Sequence, residues 1–304
     1  MIRLRIAGFA LYQWAERRSA SVTRRLVCNA SKRDRYLCVG GYPKSGTTWI
    51  SQMVGDALGR PVPRESWHPM LRRGVVHHHW EFVPALRDSI YVVRDGRDVM
   101  VSEYVAMMNA ALRMQQRLER FGKLSTIERA LLLKHGRNAR LRERFMKVFG
   151  ERFDPADRER NFPLFVRESL RRPFSEVNSE PWHRHVQRWA ESGRPELTVH
   201  YEAMLEDPQR ELTRLIQNRL AAPVPAEQIE EAVEQGRFEK VTGRARGSED
   251  PTQFARKGVA GDWLNWFDYQ SAAEFDEIAG EALVSTGYLQ AAEKGRWFEP
   301  LFGR

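Results

Sequence analysis

The chain is poor in cysteine: Cys28 and Cys38 are the only two among 304 residues. A disulfide-stapled secreted scaffold is thereby excluded, and their spacing matches no metal or redox motif. Two unpaired thiols suit a reducing compartment, so a cytoplasmic location is expected, with both acting as small apolar residues. Long apolar runs are also missing. None approaches the ~20 residues that span a bilayer. Internal repeats, low-complexity tracts and Gly/Ser linkers are absent too. So is G-x-x-x-x-G-K-[ST], the nucleoside-triphosphate loop. Three adjacent histidines, His77–His79, lack further ligands at zinc-like spacing, and nothing resembles a magnesium site.

What is present is a chain with 42% hydrophobic residues, ample for a buried core. Basic residues number 49 against 40 acidic, for a net charge of +9. The excess is regional: residues 1–35 carry net +7, residues 111–172 net +9, and the remainder net −7. Such a balance invites an anionic partner. Arg3 and Arg5 precede a short apolar stretch, Ile6–Tyr12, which superficially resembles a signal peptide until Gln13 and Trp14 cut it short. Two readings of 1–35 remain: a solvated helix packed on the domain, or a basic amphipathic helix in peripheral contact with an anionic membrane.

Tyr36–Gly41 reads as a buried parallel strand, Thr47–Leu58 as a helix, and Ser89–Val93 as a second buried strand. A helix is expected from Gly96 to Ala111, a third strand at Glu196–His200, and a late helix at Phe275–Leu283. The long stretch at 111–172 reads as a helical insertion, with a capping box at Ser125–Glu128 before the apolar Leu131–Leu133. Strands alternating with helices predict an α/β fold with a central parallel sheet flanked by helices.

Between the first strand and helix lies Tyr42-Pro-Lys-Ser-Gly-Thr-Thr-Trp49. A strand–loop–helix junction offers backbone N–H groups and a positive helix end to an anion. Lys44 adds a point charge, Gly46 permits close approach, and Thr47 and Thr48 add hydroxyls. On chemistry alone this is a phosphate site or a structural turn. The string itself resembles the 5′-phosphosulfate loop of sulfotransferases that use 3′-phosphoadenosine-5′-phosphosulfate (PAPS). Tyr91-Val-Val-Arg-Asp-Gly-Arg-Asp-Val-Met-Val-Ser102 resembles that family's 3′-phosphate motif, and Phe254-Ala-Arg-Lys-Gly-Val-Ala-Gly-Asp-Trp263 its C-terminal loop. Three matches in the family's order cover nearly the whole chain, least well at 1–35 and 111–172.

The resemblance implies a single P-loop-like sulfotransferase domain at 36–304, although length alone admits two. It implies transfer of a sulfuryl group from PAPS to an acceptor hydroxyl or amine, without a metal, releasing adenosine 3′,5′-bisphosphate (PAP). Lys44, Ser45, Gly46, Thr47 and Thr48 would hold the 5′-phosphosulfate. Arg94 and Ser102 would hold the 3′-phosphate with Arg256, Lys257 and the backbone of Gly258. Trp49, Tyr201 and Phe238 would face adenine, although Gly236-Arg237 stands where the family usually has Thr-Ser. Lys44 would neutralise the leaving oxygen, and Ser102 would restrain Lys44 until substrate arrives.

Aligning Val75-Val76 with the family's base segment places the general base at His79, then His77, then Glu81. In an extended segment His77 and His79 share one face and His78 takes the other. Trp49 also fits a core role, and Arg94 fits a helical pair with Asp98. Arg97 and Asp98 read as a surface or helix-end feature, and Trp263 and Trp266 as packing beneath the C-terminal loop. The family's dimer signature is missing around Glu274–Leu289, which leaves the oligomeric state open. A kinase would require ATP·Mg, and a nucleic-acid binder would rest on the arginines of 111–172 alone; neither has its motif. An inactive binding relative is disfavoured by Lys44, Arg94, Ser102 and Arg256. The expected acceptor is a small molecule, lipid or glycolipid.

Overall fold

The computed structural model describes residues 22–29, 36–62, 74–120, 137–150, 153–174, 180–219, 224–253 and 255–302. The expected cap at Ser125–Glu128, the run Leu131–Leu133, Phe254 and most of 1–35 lie outside the described residues. Among the described residues four strands form one parallel sheet: β1 (Tyr36–Gly41), β2 (Gly74–His78), β3 (Ile90–Val93) and β4 (Thr198–His200), in the order β2-β1-β3-β4. β1 is central because all six of its residues are buried and both its edges are paired. Tyr36 aligns with Gly74, and Val39 with Ile90.

The pleat separates two cores. Leu37, Val39, Val75, Ile90, Val92 and Val199 face α1 (Thr47–Ala57), and Tyr36, Cys38, Val76, Tyr91 and Val93 belong to the opposite layer. That opposite layer contains α2 (Gly96–Arg120), α3 (Arg137–Phe149), α4 (Arg158–Arg171) and α5 (Trp182–Ser192). After β4 come α6 (Tyr201–Glu206), α7 (Pro208–Arg219), α8 (Ala226–Gln235) and α9 (Phe238–Thr242), with α7 and α8 on the first face. The last long helix, α10 (Tyr269–Ser285), starts on a capping box between Asp268 and Ser271 and returns to the second layer.

The sequence reading counts three strands, and β2 is the fourth. Its Val-Val-His-His string has only two apolar residues, too few for the usual signature of a buried strand. α2 also runs beyond Ala111 to Arg120. Among the described residues no helix is long and apolar enough to cross a membrane.

Candidate active site

Every strand delivers its next residues to the same end of the sheet, where ligands of parallel α/β folds bind. Lys44 has φ 73° and Gly46 φ 86°, so the backbone curls tightly before α1 begins. Gly46 caps α1 without a side-chain hydrogen bond. A Cβ there would come within 2.5 Å of the Tyr201 ring, so glycine is required twice over. Ser45 Oγ and Thr47 Oγ1 are buried on this loop with no hydrogen-bond partner. Burial, together with the fields of Arg94 and Arg256, lowers the Lys44 ammonium to about 8.

Arg94 leaves the end of β3 and joins three segments. It donates to the Lys44 carbonyl (3.1 Å) and the Val259 carbonyl (3.2 Å), and it lies over the Tyr201 ring at 4.4 Å. The helical pair with Asp98 is present at 3.6 Å. Its Nε is buried and without a partner. Buried donors without partners around one loop suit a multiply charged anion.

Across from Arg94 runs the segment 255–263. Arg256 donates to Glu249 (2.6 Å) and Asp262 (2.5 Å), and Lys257 donates to the other oxygen of Asp262 (2.6 Å). Burial would raise Asp262, but its bonds to Lys257 and Arg256 prevail and bring it to about 2. Gly258 has φ 66°, and a Cβ there would stand 2.4 Å from the Phe238 ring. Trp49 donates from Nε1 to the Gly236 carbonyl at 2.6 Å and meets Tyr201 edge-on at 5.9 Å. The structure thus brings Lys44, Arg94, Tyr201 and Trp49 into direct contact, with Phe238 on Gly258.

Two arginines of this region escaped the sequence reading. Arg244 donates to the carbonyls of Ser248, Ala255 and Arg256, and Arg246 to that of Gly258 (2.9 Å). Together they hold the loop backbone. Their only sequence signal is an Arg-x-Arg pair in a glycine-bearing turn.

The expectation for Arg97 and Asp98 needs correction. Both sit at a helix end, but neither is at the surface: Arg97 is 7% and Asp98 1% exposed. Asp95 grips Arg97 through both oxygens, and Trp263 and Trp297 cover its guanidinium at 4.0 and 4.6 Å. Asp98 accepts from Gly261 N and Trp263 N. The cause is long-range docking that helical spacing does not reveal.

At the end of β2 the three histidines alternate as expected. His77 and His79 meet at 4.6 Å on one side, and His78 stacks on Trp80 at 4.7 Å on the other. His77 Nε2 lies 3.4 Å from Thr48 Oγ1. His79 Nδ1 lies 2.7 Å from the Gly41 carbonyl. A carbonyl only accepts, so Nδ1 carries the proton and Nε2 keeps the lone pair. Burial lowers His79 to about 4, although the Gly41 bond works against it, and burial with His79 nearby lowers His77 to about 3. Both are neutral near pH 7. Glu81 is half-buried just beyond them.

Behind the segment stands His185, another residue the sequence reading missed. Its Nε2 bonds the Trp80 carbonyl (3.2 Å), and Tyr91 Oη lies 3.0 Å from its Nδ1. Ser102 is half-buried on α2, and next to it Glu103 is buried and raises Lys44 through its charge. Among the described residues no cluster of three His, Cys, Asp or Glu is arranged to hold a metal ion.

The sequence model described as "Sulfotransferase domain" matches residues 77–287. The chain belongs to the sulfotransferase family. Among curated relatives, Sulfotransferase 1 family member D1 of Rattus norvegicus is 24% identical, over 79% of this chain and 81% of its own. Sulfotransferase 1A1 of Canis lupus familiaris is 23% identical, over 83% and 84%. Among solved structures, mouse sulfotransferase SULT7A1 complexed with PAP superposes with a TM-score of 0.53 at 17% identity, covering 88% of each chain. Retinol dehydratase in complex with androsterone and inactive cofactor PAP gives 0.52 at 16%, over 82% of this chain and 81% of its own. These likenesses establish the sulfotransferase fold. The family match begins inside β2, so the loop Tyr42–Trp49 lies upstream of it.

Proposed function

We propose that this sulfotransferase takes its sulfuryl group from PAPS and delivers it to a hydroxyl or amine of a small-molecule or lipid acceptor. One observation carries the reading: Ser45 Oγ, Thr47 Oγ1 and Arg94 Nε are buried without partners around a loop that also presents Lys44. Leaving such donors unsatisfied costs about 1–3 kcal/mol each, which a bound anion would recover. The PAP named in both neighbouring structures supports the choice of nucleotide.

In this reading His79 Nε2 removes the acceptor proton as the acceptor oxygen or nitrogen attacks sulfur. The bond from sulfur to the 5′-phosphate oxygen breaks, and Lys44 neutralises the charge that develops there. Sulfated acceptor and PAP are the products, and the proton ends on His79. Thr48 and the loop N–H groups hold the 5′ end. Arg94, Ser102, Arg256, Lys257 and the Gly258 backbone hold the 3′-phosphate, and Trp49, Tyr201 and Phe238 hold adenine. Ser102 restrains Lys44 before the acceptor is in place. The basic stretches 1–35 and 111–172 would flank the acceptor entrance and favour an acidic or membrane-associated acceptor.

Thermal denaturation in the presence of adenosine 3′,5′-bisphosphate or ATP·Mg tests the donor. The bisphosphate should raise the melting temperature and ATP·Mg should leave it unchanged. The reverse would overturn the reading.

A further inference from the structure

The N-terminal turn of α2 and the C-terminal loop are joined through one carboxylate. Asp98 accepts from Gly261 N at 2.8 Å and from Trp263 N at 3.0 Å, with one oxygen to each. Those two residues bracket Asp262, whose own carboxylate binds Arg256 and Lys257. Asp98 therefore fixes the backbone on either side of the group that aims both cations. It also lies 3.6 Å from Arg94, which reaches the same loop at the Val259 carbonyl. In the first turn of α2 the helix end favours the negative charge.

We infer that Asp98 is a positioning residue for donor recognition: it sets Arg256 and Lys257 relative to Arg94, so that the three cations read one phosphate as a unit. The inference rests on the PAPS reading above, and it concerns only the 3′ end of the nucleotide. Lys44 meets this chain of contacts through its carbonyl, which accepts from Arg94.

The test compares adenosine 3′,5′-bisphosphate with adenosine 5′-monophosphate, which lacks the phosphate in question, by titration calorimetry on the full chain. Asp98→Asn removes the charge and can accept only one of the two N–H groups. It should weaken bisphosphate binding about tenfold or more, the worth of one charge-assisted hydrogen bond, and weaken the monophosphate less than about twofold. In a double-mutant cycle with Arg256→Ala the two losses should fall well short of additive. Equal weakening of both nucleotides, no weakening at all, or full additivity would overturn the inference. If Asp98→Asn fails to fold, Asp262→Asn tests the last link of the same chain. The same selective loss is expected, and a gain in bisphosphate affinity would show that Asp262 competes with the phosphate and overturn the inference. Should the wild type bind the bisphosphate no better than the monophosphate, the donor reading itself fails, a result separate from these.

Discussion

The proposed base and the proposed leaving-group cation are both held away from their ordinary ionisation, and the consequence is a pH profile. Burial lowers His79 to about 4, so the proposed base carries no proton across the neutral range. Burial and two neighbouring arginines lower Lys44 to about 8, so its charge is lost as pH rises through that value. Initial rates at subsaturating substrate should therefore fall on the alkaline side near 8 and on the acid side near 4. Replacing His79 by Ala should cost about 100-fold or more in kcat and His77→Ala far less, because His79 has its tautomer set by the bond from Nδ1 to the Gly41 carbonyl. Activity kept by the His79 variant and lost by the His77 variant would reassign the base. Lys44, Arg94 and the histidines were legible in the sequence because each sits in a contiguous string. His185, Arg244 and Arg246 were not, since each acts by contacting backbone at positions far away or within an irregular turn.

At the scale of elements, the phosphate loop and the C-terminal loop are each shaped by a glycine under an aromatic ring. Gly258→Ala would force a methyl against the Phe238 ring at a φ of 66°. A loss of about 1–3 kcal/mol in stability is expected. Bisphosphate affinity should fall with it, measurable by denaturant melts and calorimetry on one sample. β1, the loop and α1 were readable because an apolar run, a glycine and a helical stretch follow one another without interruption. β2 was hidden by its histidines, and its strand identity comes from pairing with β1 rather than from its own composition. The docking of Asp98 on Gly261 and Trp263 left no local pattern at all.

For the whole molecule, the histidines set the acid limit. Burial lowers His77 and His185 to about 3, His79 and His183 to about 4, and His78 well below its usual 6.5. Between pH 6.5 and about 4 the unfolded chain binds protons at these positions that the folded chain does not. Stability must therefore fall as pH falls through that window. Asp98, Glu180 and Glu202 are raised by burial and act in the opposite sense, but only near the carboxylate range. The melting temperature should thus begin to drop below about pH 6.5 and fall most steeply near pH 5, where the unfolded histidines are protonated and the folded ones are not. The length alone admitted two domains; the single sheet and the contacts of Arg94 with Lys44 and Val259 answer that with one.

The tie between Asp98 and the C-terminal loop joins residues 163 and 165 positions apart. Contacts of such separation close late, because the intervening chain must first be ordered. During synthesis the loop after β1 and β3 leave the ribosome long before Arg256, so on the proposed reading a nucleotide could not be gripped at both ends until the final third has docked. Refolding followed by bisphosphate capture should accordingly lag behind refolding followed by helix content. A nucleotide that binds only the finished chain would then act as a check on completion, rewarding the last step of assembly and none of the earlier ones.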